Sequence, residues 1–334
     1  MTSPAPSASA AAPDRERSVG SAYAFLAYAL WGVLPLYFVA LQPSGPWEVV
    51  AWRVLLSLAL CAVILGVTRG WWRLVTVLRN PRLALWTAVA GVLIYGNWQT
   101  FVLATQTGHV VETSLGYFIN PITTVLLAVL VLHERVRPMQ WAAVGIAAVA
   151  VVVIVVAYGS VPWIALVLTL TFGLYGLVKK RIGAAVDAVS GLALETLWLT
   201  PIAIVQLVVV ATTSGITYGQ QGAAHTVLMS FVGVATAVPL LLFAAGARRI
   251  SLTAVGLMQF VAPILQFILG AAVLGEPMPT ERWFGFGLVW LACAVLVLDM
   301  VRNAGRSRRA RRRARRDPAT AELATVDPDP ARRA

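Results

Sequence analysis

Apolar residues run through this chain in blocks of about twenty, separated by short polar turns. A helix needs roughly 20 apolar residues to cross the hydrocarbon core of a bilayer. Counting the blocks predicts ten membrane-spanning helices. They lie at about 21–41, 47–67, 83–105, 112–132, 139–158, 161–180, 189–211, 226–246, 252–274 and 281–301. The first block is too long for the apolar core of a signal peptide, and no small-residue cleavage site with a soluble domain follows it, so it is expected to stay in the membrane. Residues 1–20 are rich in Ala, Pro and Ser and are expected to be disordered, as is the basic tail 302–334.

One block is interrupted. The stretch TSLGYFINPI, Thr113 to Ile122, places Gly116, Asn120 and Pro121 inside an otherwise apolar run. Proline removes one backbone hydrogen bond and crowds the preceding turn. In lipid such a break is tolerated only where it is buried in protein or lines a wet cavity.

Composition fixes the class. The 334 residues are 59% hydrophobic and 12% charged, where soluble domains carry about 25% charged residues. The mean hydropathy is +0.79. Cys61 and Cys293 both sit in apolar blocks, so no disulfide framework is implied. The net charge of +12 could suggest nucleic acid as a partner, but 24 of the 26 Lys and Arg residues fall in alternate loops and the two ends of the chain. That distribution excludes a nucleic-acid surface and follows the positive-inside rule. It places both termini in the cytoplasm of a multi-pass cell-membrane protein. The exceptions are Arg53, within a span, and Arg282, at the start of one. The tail arginines could meet anionic lipid headgroups, although a topology anchor suffices to explain them.

The sequence also repeats. At an offset of 142, Pro121-Ile122 falls on Pro263-Ile264, Glu134 on Glu276, Trp141 on Trp283, Gly145 on Gly287 and Gly91-Val92 on Gly233-Val234. At 141, Gly32 falls on Gly173. The expected architecture is therefore all-α and integral to the membrane, with ten transmembrane helices in two five-helix repeats, 21–158 and 161–301. Five is odd, so the repeats must be inverted. Inverted repeats with helices interrupted at matched positions mark transporters, whose solute path lies at the repeat interface. Pro121 and Pro263 are the matched helix-break candidates.

These residues carry a family resemblance. The arrangement resembles EamA-type proteins of the drug/metabolite transporter superfamily. The stretches AYALWGVLPLYF (27–38), GNWQTFVLA (96–104), ETSLGYFINPI (112–122), HERVRPMQW (133–141), FGLYGLVKKR (172–181) and ETLWLTP (195–201) are similar to its RarD subgroup, named for a chloramphenicol-sensitivity protein. The resemblance covers about residues 21–301 and implies a ten-helix inner-membrane carrier. The chain departs from the usual Gly-Glu pair at the end of the fourth span, with His133-Glu134, and keeps Gly275-Glu276 in the ninth.

Ionisable residues inside spans are functional candidates. Arg53 and Glu195 lie clearly inside, each about 10 Å deep at 1.5 Å per residue, and the 142 offset makes them equivalents. They are candidates for coupling or gating, with Glu195 also a proton acceptor; the alternative is a side chain that snorkels to its interface. Asn97, Trp98, Tyr117 and Asn120, with Trp31, Tyr175 and Gln259, are candidates for the lining of a solute cavity. Trp31 and Trp98 could stack on a cationic or aromatic ligand. Glu134 and Glu276 end their helices, where a carboxylate opposes the macrodipole, and each is expected to bond a neighbouring turn.

No zinc, phosphate-loop, serine-nucleophile or Asp-rich metal motif is present, so neither a cofactor nor a metal is expected. The expected function is a secondary-active carrier, not an enzyme, that moves a small metabolite or drug-like solute by alternating access. A proton is the candidate coupling ion, the bilayer and the solute are the partners, and a homodimer is left open. The alternatives are an intramembrane enzyme on a lipid-linked substrate and a non-transporting receptor. Reporter fusions test the topology: at Asn80, at Ala188 and after Arg316 they should report cytoplasm, and at Gly219 the exterior. A cytoplasmic signal at Gly219 would sink both the helix count and the inversion.

Overall fold

The computed structural model describes residues 11–133, 137–158, 161–183 and 185–316. The chain runs α1 (Ala11–Ala40), α2 (Pro46–Val67), α3 (Trp71–Leu78), α4 (Pro81–Gln106), α5 (Val110–Leu132), α6 (Pro138–Tyr158) and α7 (Trp163–Ile182). It continues through α8 (Ala188–Thr213), α9 (Gly222–Ser230), α10 (Val232–Ala247), α11 (Leu252–Met258), α12 (Val261–Ile268), a π-helical turn at Leu269–Val273, and α13 (Thr280–Arg316). Among the described residues nine helical stretches are long and apolar enough to span a membrane, and α4 with α3 supplies a tenth. The eighth span is α9 with α10, and the ninth is α11, α12 and the π turn.

Three sequence expectations need correction. Residues 11–20 are helical, continuing α1 backwards, and α13 runs on through 302–316, where disorder was expected. Both extensions carry Ala and Arg, which favour helix, and Pro13 sits in the first turn, where its missing N–H costs nothing. The loop after the second span holds α3, which meets α4 at 101°. Trp71 and Trp72 face outward while Leu74 and Val77 are buried, the pattern of a helix lying in the membrane interface. Finally, α5 passes through Pro121 unbroken. One lost bond is tolerated because α7 clamps both flanking turns: a Cβ at Gly116 would stand 2.9 Å from the Ala165 carbonyl oxygen, and one at Gly173 would touch Thr123 and Asn120. The ninth span does break, at Gln259-Phe260, ahead of Pro263.

Helix packing is compatible with two inverted repeats. α5 lies on α7 as α12 lies on α1, and α4 lies on α7 and α8 as α10 lies on α1 and α2. The pairs α2–α8 and α6–α13 map onto themselves. Glycine contacts follow the same offsets. Gly32 meets Ala262 and Leu265, while Gly173 meets Asn120 and Thr123, the positions 142 earlier. Gly91 presses on the backbone of Glu195, and Gly233 on that of Leu56 and Ser57.

One end of the bundle is stitched by glutamates. Glu48 accepts from the Thr217 and Tyr218 amides and the Thr217 hydroxyl, at 2.8–3.1 Å. Glu276 accepts from the Val110 and Val111 amides, the latter at 2.8 Å, capping α5. Glu112 accepts from the Ile164 and Ala165 amides at the start of α7. Ser44 bonds Thr217 and His225, and Gln106 donates to the Phe38 and Ser44 carbonyls. A carboxylate beside free N-terminal amides meets the favourable end of the helix dipole. Glu276 thus bonds a neighbouring helix, as its position suggested; Glu134 lies outside the described residues. The other end carries Arg137, paired with Asp299 at 3.1 Å, and Arg181 and Arg249, which lie over Trp86 and Tyr23. Trp47, Trp141, Trp163 and Trp283 are about half exposed, as an interfacial belt requires.

The glycine contacts make a test. A Cβ at Gly233 would fall 2.6 Å from the Leu56 carbonyl carbon and oxygen, whereas one at Gly287 meets nothing within 4 Å. Gly233→Ala should therefore destabilise by about 1–3 kcal/mol. Gly287→Ala should be neutral or stabilising by up to about 1 kcal/mol. Thermal unfolding of the purified variants in detergent checks both; equal midpoints would show that α2 and α10 do not meet this closely.

Candidate functional site

α2 carries Arg53 two turns into the bundle. Its side chain does not snorkel: the residue is 4% exposed. The guanidinium lies over the Trp98 ring at 4.1 Å from the centroid and over Phe38 at 5.4 Å. Nε and Nη1 are buried with no hydrogen-bond partner. Trp98 thus stacks on the protein's own cation. Beside it on α4, Asn97 donates to the Leu168 carbonyl at 3.2 Å and to Thr171 Oγ1 at 3.3 Å, and accepts from the Tyr117 hydroxyl at 3.1 Å. Asn97 and Tyr117 therefore tie α4, α5 and α7 together.

Glu195 on α8 is 1% exposed. Its carboxylate accepts from Lys179 Nζ at 2.8 Å and from the Tyr175 hydroxyl at 3.1 Å. Lys179 reaches in from the last turn of α7 with its own side chain 28% exposed. The cation that answers Glu195 is thus Lys179 and not Arg53.

A ladder of rings joins the two charged centres. Phe38 meets Phe101 at 6.0 Å between centroids, Phe101 meets Tyr117 at 5.8 Å, Tyr117 meets Phe172 at 6.0 Å, and Phe172 meets Tyr175 at 6.1 Å. Arg53 lies on its first rung, and Glu195 bonds its last. The ladder crosses from the first five spans into the second five between Tyr117 and Phe172. Of the candidates read from sequence, the structure brings together Arg53, Asn97, Trp98, Tyr117, Tyr175 and Glu195.

The others lie apart. Trp31 packs with Tyr28 and Phe243, its carbonyl accepting from Gln266 at 3.2 Å. Asn120 keeps a buried, unpartnered Oδ1 near Gly173. Gln259 sits at the break between α11 and α12. Two cavities, of about 220 and 420 Å³, lie elsewhere. The first is bounded by Glu112, Trp163 and Arg282 at the glutamate end, the second by Phe118, Phe267 and Trp290 on the flank. Neither is lined by Arg53, Tyr117 or Glu195.

The sequence has close relatives. A model of the EamA-like transporter family matches residues 18–156, which hold the first five spans. Protein RarD of Streptomyces exfoliatus is 42% identical over 295 residues, covering 88% of this chain and 93% of that protein. The chain belongs to the EamA-like transporter family, in its RarD subgroup. Protein RarD of Escherichia coli strain K12 is 38% identical over 282 residues, 84% of this chain and 95% of that one. A chloramphenicol-sensitive protein RarD of Pseudomonas aeruginosa is 28% identical over 277 residues, 82% and 91% of the two chains. A solved crystal structure shares the fold, with a TM-score of 0.54 at 20% identity over 84% of this chain and 98% of that one. As an EamA-like protein the chain is a multi-pass membrane protein of a transporter family.

Sequence reasoning missed Phe38, Phe101 and Phe172, which look like ordinary apolar positions, and it read Lys179 only as a loop charge. The signal for Lys179 was its spacing: Tyr175 and Lys179 are four apart, hence on one helix face. Glu48 and Glu112, near span starts, were passed over for the same reason that they matter, since they serve helix ends.

The buried pair predicts an asymmetry. Removing Lys179 strands a carboxylate in a dry site, which costs about 3–5 kcal/mol. Removing the charge of Glu195 leaves a lysine that already reaches solvent. Lys179→Met should lower the thermal midpoint far more than Glu195→Gln, and the double variant should recover most of the loss. If Lys179→Met is no worse than Glu195→Gln, the carboxylate is not dependent on this cation.

Proposed function

We propose that this EamA-like protein is a secondary carrier that moves a small solute between its two repeats by alternating access. The observation that carries the reading is the aromatic ladder between an unpaired Arg53 and a paired Glu195. Charged groups are costly in a membrane interior and mark solute or proton pathways where they occur. The ladder runs across the boundary between the halves, where inverted-repeat carriers hold their solute. The distribution of loop charges favours an exterior position for the glutamate end and a cytoplasmic one for both termini. The transporter names of the relatives speak against an enzyme.

Coupling fits Glu195. A proton on its carboxyl would release Lys179, and release of Lys179 would loosen α7 from α8. Transport then requires that this bond break and re-form in each cycle.

Counterflow in proteoliposomes tests the reading. Vesicles preloaded with unlabelled solute should accumulate the same labelled solute transiently. Metabolite and antibiotic panels are the probes, and chloramphenicol is included because one relative's name refers to it. A covalent product instead of exchange would make the protein an enzyme, and absence of exchange across the panel would sink the carrier reading. With an exchanged solute in hand, Glu195→Gln should abolish accumulation driven by a pH gradient while leaving exchange partly intact. Accumulation equal to the parent's would remove the proton role from Glu195.

A further inference from the structure

We infer that Arg53 is the binding group for an anionic solute, a carboxylate attached to an aromatic or apolar body; the inference rests on the carrier reading for its use, though not for its chemistry. The two repeats treat their equivalent charges differently. In the second, Glu195 has its counter-ion built in: Lys179 at 2.8 Å. Shifting Lys179 back by 141, the offset that superposes Gly173 on Gly32, lands on Phe38. Phe38 is the ring beneath Arg53. Where one half supplies an ion, the other supplies only an aromatic face.

No carboxylate is left to complete the pair. Among the described residues none lies within ion-pair distance of Arg53. Glu48, five residues earlier on α2, is engaged by Thr217 and Tyr218, and Glu195 is engaged by Lys179 and Tyr175. Stacking on Trp98 offsets part of the desolvation of the guanidinium. It does not satisfy the N–H groups of Nε and Nη1, which point into the protein unanswered. One helical turn further along α2, the Ser57 hydroxyl is fully buried and also unpartnered. A guanidinium with free donors, a hydroxyl one turn away and a wall of Phe38, Trp98 and Phe101 is a receptor for a planar anion on an apolar body. Guanidinium donors match a carboxylate in shape as well as in charge. A cation as solute is excluded at this position, because Arg53 already occupies the aromatic face.

Such a site makes a distinctive claim about the empty protein. An arginine that served structure would cost stability when removed. An arginine waiting for an anion is an uncompensated buried charge, so its removal relieves the empty protein. Arg53→Met keeps the aliphatic stem and removes the charge. The test measures thermal midpoints of purified wild type, Arg53→Met and Arg53→Lys, alone and with millimolar benzoate or phenylacetate, at constant ionic strength. Benzamide and phenylacetamide serve as neutral twins, and benzyl phosphate as a second anion. Wild type should be stabilised by the carboxylates and not by the amides. Arg53→Met should melt no lower than wild type without ligand and lose the carboxylate response, with at least a tenfold weaker apparent affinity. Arg53→Lys, which keeps charge but not the planar donors, should fall between. A lower midpoint of ligand-free Arg53→Met would make Arg53 structural. Equal stabilisation of wild type and Arg53→Met, or an equal effect of the amides, would place binding elsewhere. A response to benzyl phosphate alone, or to none of the anions, would overturn the carboxylate assignment. Should the carboxylates bind through Arg53 while counterflow fails, the site stands and the carrier reading falls.

Discussion

A polar group within the hydrocarbon slab must find its partner inside the chain, because lipid offers none. The fold of this protein follows from that demand. It explains why α5 runs through Pro121 only where α7 clamps both flanking turns. It explains why Asn97 bonds backbone and side chains on α7 and takes a hydroxyl from α5, and why Glu195 is reached by both a lysine and a tyrosine. Glycines then set how near the helices come, since crossings such as those at Gly91, Gly233 and Gly246 are backbone on backbone. Small residues at such crossings let dispersion hold helices that have no hydrophobic reason to associate in lipid.

Much of this was legible in the sequence. Block length gave the spans, because the bilayer sets one thickness for all of them. The family resemblance and the two charges Arg53 and Glu195, equivalent under the 142 offset, were also legible, since a charge in an apolar run is conspicuous. The helix in the second loop was not. α3 has eight residues, too few for periodicity to separate it from a turn with two tryptophans. The helical ends of α1 and α13 were read as disorder from composition, although Ala and Arg favour helix whether or not a membrane surrounds them. The intact α5 could not be read from Pro121, because whether a proline breaks a helix depends on the neighbours that hold it.

The ladder shows a subtler limit. Tyr117 and Tyr175 stood out because they carry hydroxyls, while Phe38, Phe101 and Phe172 are chemically anonymous in a chain with 11 phenylalanines. Ring-to-ring distances near 6 Å, which no one-dimensional pattern contains, join them into one path. The same holds for Lys179, whose value lies in reaching back from the last turn of α7 into the bundle.

The glutamate end has a consequence for water. Glu276 and Glu112 cap helices that are not their own, so parting those elements exposes carboxylates and N-terminal amides together. Each is a group that water solvates well, and a bond between such partners is worth about 0.5–3 kcal/mol net in exchange for hydration. Prising these caps apart therefore trades one set of hydrogen bonds for another, although the buried Val110, Val111 and Ile164 beside them would be wetted as well. Among the groups that meet there, the capping carboxylates and amides are the ones that lose least when wetted.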